Sequence, residues 1–217
     1  MTRFSEEGLL RAPRPTLNEE RLLAEQGYRF IAGIDEVGRG PLAGPAVAAA
    51  VVLPMHLEDS WLDSVRDSKQ LTHKARESLF PLISKSALAV GIGYAQPSEI
   101  DKYGIAHAVR KAMCDAVHNL SQPPDFLLID FVGLHDLAIP QKAIAKADTL
   151  SVSVACASIV AKVTRDRLMI DLDRQYPHYG FARHKGYGTA EHIESLKRHG
   201  ACPVHRKSFA PVRESLC

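Results

Sequence analysis

Phe30-Ile31-Ala32-Gly33-Ile34-Asp35-Glu36-Val37-Gly38-Arg39-Gly40 is the stretch that decides the fold. The apolar run from Phe30 to Ile34 reads as a buried strand. It ends in two adjacent acids, followed by a tight glycine loop. Side chains alternate along a strand, so Asp35 and Glu36 take opposite faces while the strand stays regular. The glycine loop is the place where both can converge.

Outward from this stretch, the chain alternates short strands with helices. Thr16 to Gln26 reads as a helix capped by Thr16, with Leu17, Leu22 and Leu23 on its apolar side. Ala46 to Leu53, bounded by Pro45 and Pro54, is a second buried strand. Asp67-Ser68-Lys69 lies in a polar loop, and Thr72 caps a helix over His73 to Ser84. Ala87 to Ala95 is a third strand. Pro97 opens one long amphipathic helix that runs to about Leu120. Pro123-Pro124 breaks the chain. Phe126 to Ile129 then reads as a strand ending at Asp130, and Lys142 to Ala147 as another ending at Asp148. Ala155 to Arg174 is a helix, Tyr176 to Gly188 a loop, Thr189 to His199 a helix, and Ser208 to Leu216 a last short helix. Short links make the first three strands antiparallel, and helical crossovers make the later ones parallel. The expected fold class is α/β: a mixed sheet flanked by helices.

Composition narrows the function classes. With 217 residues, 46% of them hydrophobic and a net charge of +2, the chain can bury a core, and disorder is excluded as its main description. The longest weakly polar stretch, Ala43 to Met55, is too short and too rich in proline to span a membrane. Met1 to Arg14 carries no apolar run of the kind that directs secretion. Cys114, Cys156, Cys202 and Cys217 form no C-x-x-C pair and read as reduced thiols of a cytoplasmic protein. Charge is uneven. Residues 1–159 carry 16 Lys/Arg against 19 Asp/Glu, whereas 160–217 carry 11 against 6, with five of the ten histidines. The basic end suits a polyanion partner or a solvated face.

Asp35 with Glu36, Asp130 and Asp148 each close a predicted strand. In α/β sheets, sites gather outside the carboxyl ends of strands. An acid directly after Leu127-Leu128-Ile129 is costly unless it is paired or binds a metal. Carboxylates without His or Cys partners suit Mg²⁺ or Mn²⁺ far better than zinc. Two such ions, roughly 3.5–4 Å apart, clamp a phosphodiester for attack by water. The chemistry is therefore phosphoryl hydrolysis. Gly38-x-Gly40-x-x-x-Gly44 also raises a dinucleotide site, which would make the chain an oxidoreductase. The acids before the loop repel a pyrophosphate, and Pro41 and Pro45 remove amide donors. Glu58 and Asp59 lie near the spacing of a ribose-binding acid but follow no strand. A nucleic-acid backbone approaching the loop beside Arg39 fits better.

These motifs resemble the ribonuclease HII family. The matching stretches run from Gly33 to Leu42, Asp67 to Leu71, Leu128 to Asp130, Ala157 to Asp166 and His184 to Thr189, in the family's order. The resemblance implies a ribonuclease H-like fold. Residues 1–175 would form the catalytic domain, and 176–217 a small helical segment packed on it. It implies an endonuclease that cuts the RNA strand of RNA–DNA hybrids and cuts 5′ of single ribonucleotides embedded in duplex DNA. Such an activity serves ribonucleotide excision and DNA replication. It implies two divalent ions, Mn²⁺ or Mg²⁺, held by Asp35, Glu36, Asp130 and Asp148, and products with 3′-hydroxyl and 5′-phosphate ends. Gly38, Arg39 and Gly40 would read the RNA–DNA junction through the 2′-hydroxyl. Lys69 would contact phosphate, and Tyr187 would pack on the following deoxyribose, with a core aromatic as its other reading. Lys162 and Arg165 fall where phosphate contacts are possible, and His184 and Lys185 on the substrate side or in a structural loop. The sister ribonuclease HIII usually carries Glu where Asp148 stands, and an added N-terminal domain. Two positions depart from the family pattern: Ala147 and Phe131 stand where Gly is usual. The chain is expected to be a cytoplasmic monomer. Competing readings are a resolvase or integrase nuclease of the same superfamily, and a nucleic-acid binding module with a degenerate site.

Overall fold

The central strand of the protein is the one carrying the paired acids. The computed structural model describes residues 14–216. The readings of the first thirteen residues and of Cys217 lie outside them. Strand β1 (Ile31–Val37) pairs antiparallel with β2 (Ala46–Val52), which pairs antiparallel with β3 (Ala89–Ala95). On its other edge β1 pairs parallel with β4 (Phe126–Asp130), and β4 pairs parallel with β5 (Gln141–Ile144). The order across the five-stranded sheet is β3-β2-β1-β4-β5. Link length explains only part of this: β1 and β2 join by a short loop, but β2 and β3 pair antiparallel across a connection that holds the helix His73–Ser86, and β4 and β5 pair parallel across residues 131–140 with no helix between them.

Helix α1 (Asn18–Glu25) precedes the sheet, and helix α2 (His73–Ser86) follows β2. Helices cover both faces. Val47, Ala49 and Val51 of β2 pack with α2 and with helix α5 (Val152–Gln175). Ala48, Ala50 and Val52 pack with helix α4 (Ile105–His118). The first turns of α5 are apolar on all sides because the helix is buried there between β1, β2 and α2. Gly33 explains how closely it approaches. A Cβ on Gly33 would lie 2.2 Å from the carbonyl carbon of Ser153, so only glycine lets this backbone rest on the strand.

The structure corrects several local expectations. The helix read as continuous from Pro97 to Leu120 is two: α3 (Pro97–Tyr103) and α4, broken at Gly104. Gly104 has φ 79, a left-handed conformation that ends a helix cheaply only at glycine. Helix α1 starts at Asn18, and Thr16 instead pairs with Ser151 in an isolated bridge. Helix α5 starts at Val152, three residues early, because the Ser151 side chain caps it from 3.2 Å through the Val154 amide. The segment 176–188 contains a short helix, α6 (Phe181–His184). Helices α7 (Ala190–His199) and α8 (Ala210–Glu214) complete the fold. Residues of this last part share one apolar cluster with Leu42, Ala43 and Met169. Asp148 does not end a strand. Strand β5 stops at Ile144, and Asp148 sits in a one-turn 3-10 helix, Ala147–Thr149. Lys146 turns the chain into it with φ 59.

Among the described residues, Cys114, Cys156 and Cys202 are free and buried. No helix among them is long and apolar enough to cross a membrane.

Candidate active site

Strand β1 stays regular through Val37, so its two acids keep opposite faces. The glycine loop does not converge them. Asp35 pairs across β2 with Ala49, on the α5 face, and is 3% exposed. Its Oδ1 accepts the Glu36 amide at 2.7 Å, and the Ser158 hydroxyl of α5, which donates to Ser68 Oγ at 2.9 Å, acts on it as well. Glu36 pairs with Ala48, on the α4 face. There it lines a small hollow with Arg39, Asp130, Val109 and Met113. Arg39 Nη1 lies 3.3 Å from Glu36 Oε1.

Asp130, at the end of β4, links the two faces to the next acid. Its Oδ1 accepts the Ala147 amide at 2.8 Å, which brings the turn bearing Asp148 beside it. Burial, then the charges of Glu36 and Asp130, hold the Asp35 carboxyl well above the usual carboxylate range. The Ser158 hydroxyl and the Glu36 amide pull the other way. Asp148 is pushed up to about 6 by burial, then by the charges of Asp67 and Asp130, against the pull of Lys69. The four carboxylates predicted to act together therefore lie in one electrostatic neighbourhood. A fifth belongs to it. Asp67 was legible only as the first residue of the Asp67-Ser68-Lys69 stretch, where its Oδ1 accepts the Lys69 amide at 2.9 Å. Burial opposes the charge on Lys69, but Asp67, Asp35, Asp148 and Asp130 outweigh it and raise its pKa. Lys69 is thus a counter-charge to the acids.

Among the described residues, no three acids, histidines or cysteines stand close enough to enclose an ion without side-chain adjustment. The donor chemistry nonetheless fits a hard cation. The oxygens are all carboxylate, and their mutual repulsion exceeds what Lys69 and Arg39 supply.

The loop after β1 is held from beneath by two arginines that the sequence reading did not assign to it. Gly38 has φ 92, and a Cβ there would lie 2.3 Å from Arg165 Nε. Arg165, read from sequence as a possible phosphate contact, is fully buried instead. It donates to the carbonyls of Pro45 at 2.9 Å, Lys185 at 3.0 Å and Ala43 at 3.2 Å. Arg206, also fully buried, donates to Gly38 at 2.6 Å, Arg39 at 2.9 Å, and Gly44 at 3.0 and 2.9 Å. Burial lowers Arg165 to about 10 and Arg206 to about 9, so both remain cations at neutral pH. Tyr187 is 44% exposed and is no core aromatic. Its Cε1 lies 3.8 Å from the point where a Gly40 Cβ would stand.

The remaining basic residues are tied into the protein. Lys162 pairs with Asp166 at 2.7 Å, and Lys185 Nζ donates to the Ala182 carbonyl. His184 Nε2 lies 2.7 Å from the Tyr179 carbonyl oxygen, and its ring stacks on His192 at 4.6 Å. His192 Nδ1 lies 2.9 Å from the Tyr187 carbonyl oxygen, and His192 Nε2 lies 3.0 Å from His205 Nε2. This buried pair was not singled out from the sequence, because a histidine reads as exposed or half-exposed by default.

The sheet order, the crossing α5 and acids gathered at the centre of the sheet define a ribonuclease H-like nuclease. The family model for ribonuclease HII matches residues 32–212. The chain belongs to the ribonuclease HII family, endonucleases that hydrolyse RNA in RNA–DNA hybrids. It is 54% identical over 190 residues to the ribonuclease HII of Acetivibrio thermocellus, covering 88% of this chain and 73% of that one. The crystal structure of ribonuclease H2 from Pyrococcus horikoshii OT3 superposes with a TM-score of 0.73 at 29% identity, covering 85% of this chain and 96% of that one. The crystal structure of Bst-RNase HIII in complex with Mn²⁺ shares the fold, with a TM-score of 0.68 at 22% identity, covering 87% and 69% of the two chains.

Proposed function

We propose that the protein cuts duplex DNA on the 5′ side of a single embedded ribonucleotide, in addition to cutting continuous hybrids. Two divalent ions, Mg²⁺ or Mn²⁺, would be held by Asp35, Glu36, Asp130 and Asp148. When bound, the ions supply positive charge to the water that attacks and to the leaving oxygen. The protein's own residues do the rest. Lys69, aimed among the acids, meets a substrate phosphate. Asp148 helps orient the attacking water from its turn beside Asp130. The amides of the Gly38–Gly40 loop face the 2′-hydroxyl, the group that distinguishes RNA from DNA at one position. Arg39 stands beside them. The Tyr187 ring packs on the deoxyribose that follows, where an added hydroxyl would crowd it. Attack at that phosphorus leaves a 3′-hydroxyl and a 5′-phosphate.

The observation that carries this reading is the half-exposed Tyr187 ring beside Gly40, in the loop that follows the paired acids of β1. The basic segment after residue 160 supports sequence-independent duplex affinity. We assign the catalytic unit to residues 1–175 and a packed helical segment to 176–217, and take the protein to act as a monomer in the cytoplasm. The test is cleavage of a DNA duplex with one ribonucleotide, with Mg²⁺, Mn²⁺ or EDTA. One metal-dependent cut on the 5′ side is expected. Cleavage confined to long hybrids would remove the roles of Gly38–Gly40 and Tyr187.

A further inference from the structure

We infer that Arg206, assisted by Arg165, is a positioning residue that makes the Gly38–Gly40 loop a reader of the ribose 2′-hydroxyl. The inference rests on the proposed role of that loop. Neither arginine has an ion-pair partner among the described residues, although both are fully buried. A buried cation without an ion pair is costly, and Asp166 for Arg165 and Asp101 for Arg206 act only through their charge, so these sites are built around something other than charge pairing. Their partners are backbone carbonyls. Arg206 takes those of Gly38, Arg39 and Gly44, and Arg165 those of Ala43, Pro45 and Lys185.

The consequence follows from peptide geometry. In a trans peptide the carbonyl and the next amide point in opposite directions. Pinning the Gly38 and Arg39 carbonyls onto Arg206 turns the amides of Arg39 and Gly40 away from it. No peptide bond in the described residues is cis. The loop therefore presents donors outward and no carbonyl from these two peptides. A hydroxyl oxygen or a phosphodiester oxygen accepts from them, and a deoxyribose offers no such oxygen at the 2′ position. Arg206, bonded to the carbonyls of these same two peptides, polarises them and strengthens the donors toward an electron-rich oxygen. Arg165 fixes the partner loop as well. Its bond to the Lys185 carbonyl, with that of Leu42 N to Gly186 O at 2.8 Å, sets Tyr187 against the glycine loop.

Arg206→Lys keeps the charge and loses the fork that spans three carbonyls. Its cleavage rate at an embedded ribonucleotide should fall at least tenfold relative to its rate on a continuous hybrid. A purely structural loss of folded enzyme lowers both rates together and leaves the ratio unmoved. A folded Arg206→Lys with the wild-type ratio overturns the inference. Amide hydrogen exchange of the wild-type protein in EDTA decides the matter should the variant fail to fold. The Arg39 and Gly40 amides should exchange fast in the free protein. They should be protected by a duplex with one ribonucleotide and not by the all-DNA duplex. Amides already protected in the free protein, or equally protected by both duplexes, overturn it. If the wild type does not cut at the ribonucleotide, the proposed function fails, and this inference with it. If the wild type cuts there and the variant keeps its ratio, only the inference fails.

Discussion

The backbone amide of Ala147 donates to Oδ1 of Asp130 at 2.8 Å, so one carboxylate of the cluster holds the turn that carries another. The Ala147 methyl is buried with Phe126, Leu128 and Val154. The residue of this turn with positive φ is Lys146, so alanine at 147 strains nothing. Ala147→Pro deletes the donor. It should lower kcat at least tenfold and cost about 1 kcal/mol of stability by leaving the part-buried carboxylate oxygen of Asp130 short of a partner. Ala147→Gly should keep most activity. Chemical denaturation and single-turnover cleavage of the two variants check this; equal rates would break the link between the bond and the site.

Burial first, and then mutual repulsion, makes the charges of Asp35 and Asp148 costly, so removing one should stabilise the fold while destroying activity. Asp148 titrates near 6 in the folded protein, above the carboxylate value of 3.8. A raised pKa favours the folded state when protonated, and that advantage is lost as pH rises through about 6. Asp148→Asn should therefore raise Tm at pH 7.5, with the gain shrinking toward zero near pH 4. Asp35→Asn should behave alike, and both should lose more than a hundredfold in cleavage rate. Calorimetry across pH is the check.

Divalent ions should relieve the same repulsion. Adding Mn²⁺ or Mg²⁺ at pH 7.5 should raise the wild-type Tm through binding to the folded state. The shift should largely vanish in Asp35→Asn. An equal shift in both proteins would place the ions elsewhere.

The buried His192–His205 pair has the opposite pH sign. Burial lowers both to about 4, from an ordinary 6.5. The stability they permit is present above 6.5 and is lost as pH falls toward 4, because the unfolded chain takes up protons that the folded pair refuses. The two raised carboxyls, Asp148 and Asp35, oppose the two histidines over this window, so the wild-type Tm should change little between pH 4.5 and 6. Asp148→Asn should expose the histidine slope as a steep acid loss. A flat profile in that variant would contradict the assignment.

Phe131 is the residue with the least reason to be what it is. It follows Asp130 with φ 68, in a three-residue turn closed by Val132 N to Asp130 O at 2.9 Å, and is 69% exposed. A left-handed conformation costs a side chain about 1–2 kcal/mol. Phe131→Gly should recover about 1 kcal/mol of this and raise Tm by about 2–4 °C. An unchanged or lower Tm would mean that the ring repays its strain.

Much of this was readable in the sequence, and the reasons are local. β1 announces itself by an apolar run, its acids by their position after that run, and the loop by Gly38 and Gly40. The break at Gly104 had a signal, a glycine inside a helical pattern, that the apolar spacing of Ile105 to Val117 overrode. Asp148 was misplaced by one element because Lys142 to Ala147 alternates like a strand, while pairing with β4 lasts only to Ile144. The two arginines were out of reach for another reason. Composition marks an arginine as surface, and what buries Arg165 and Arg206 is the return of the chain over Leu42 and Ala43 more than a hundred residues later.

Helix α5 acts as a ruler. Ser158, near Asp35, and Arg165, under the glycine loop, stand seven residues apart, about two turns or roughly 10 Å along one rigid rod. The distance from Asp35 to the loop proposed to choose the cutting site is thereby counted in helical residues. Deleting one residue between them would swing Arg165 by about 100° around the axis. Such a protein would lose the Arg165 bonds to the Ala43, Pro45 and Lys185 carbonyls.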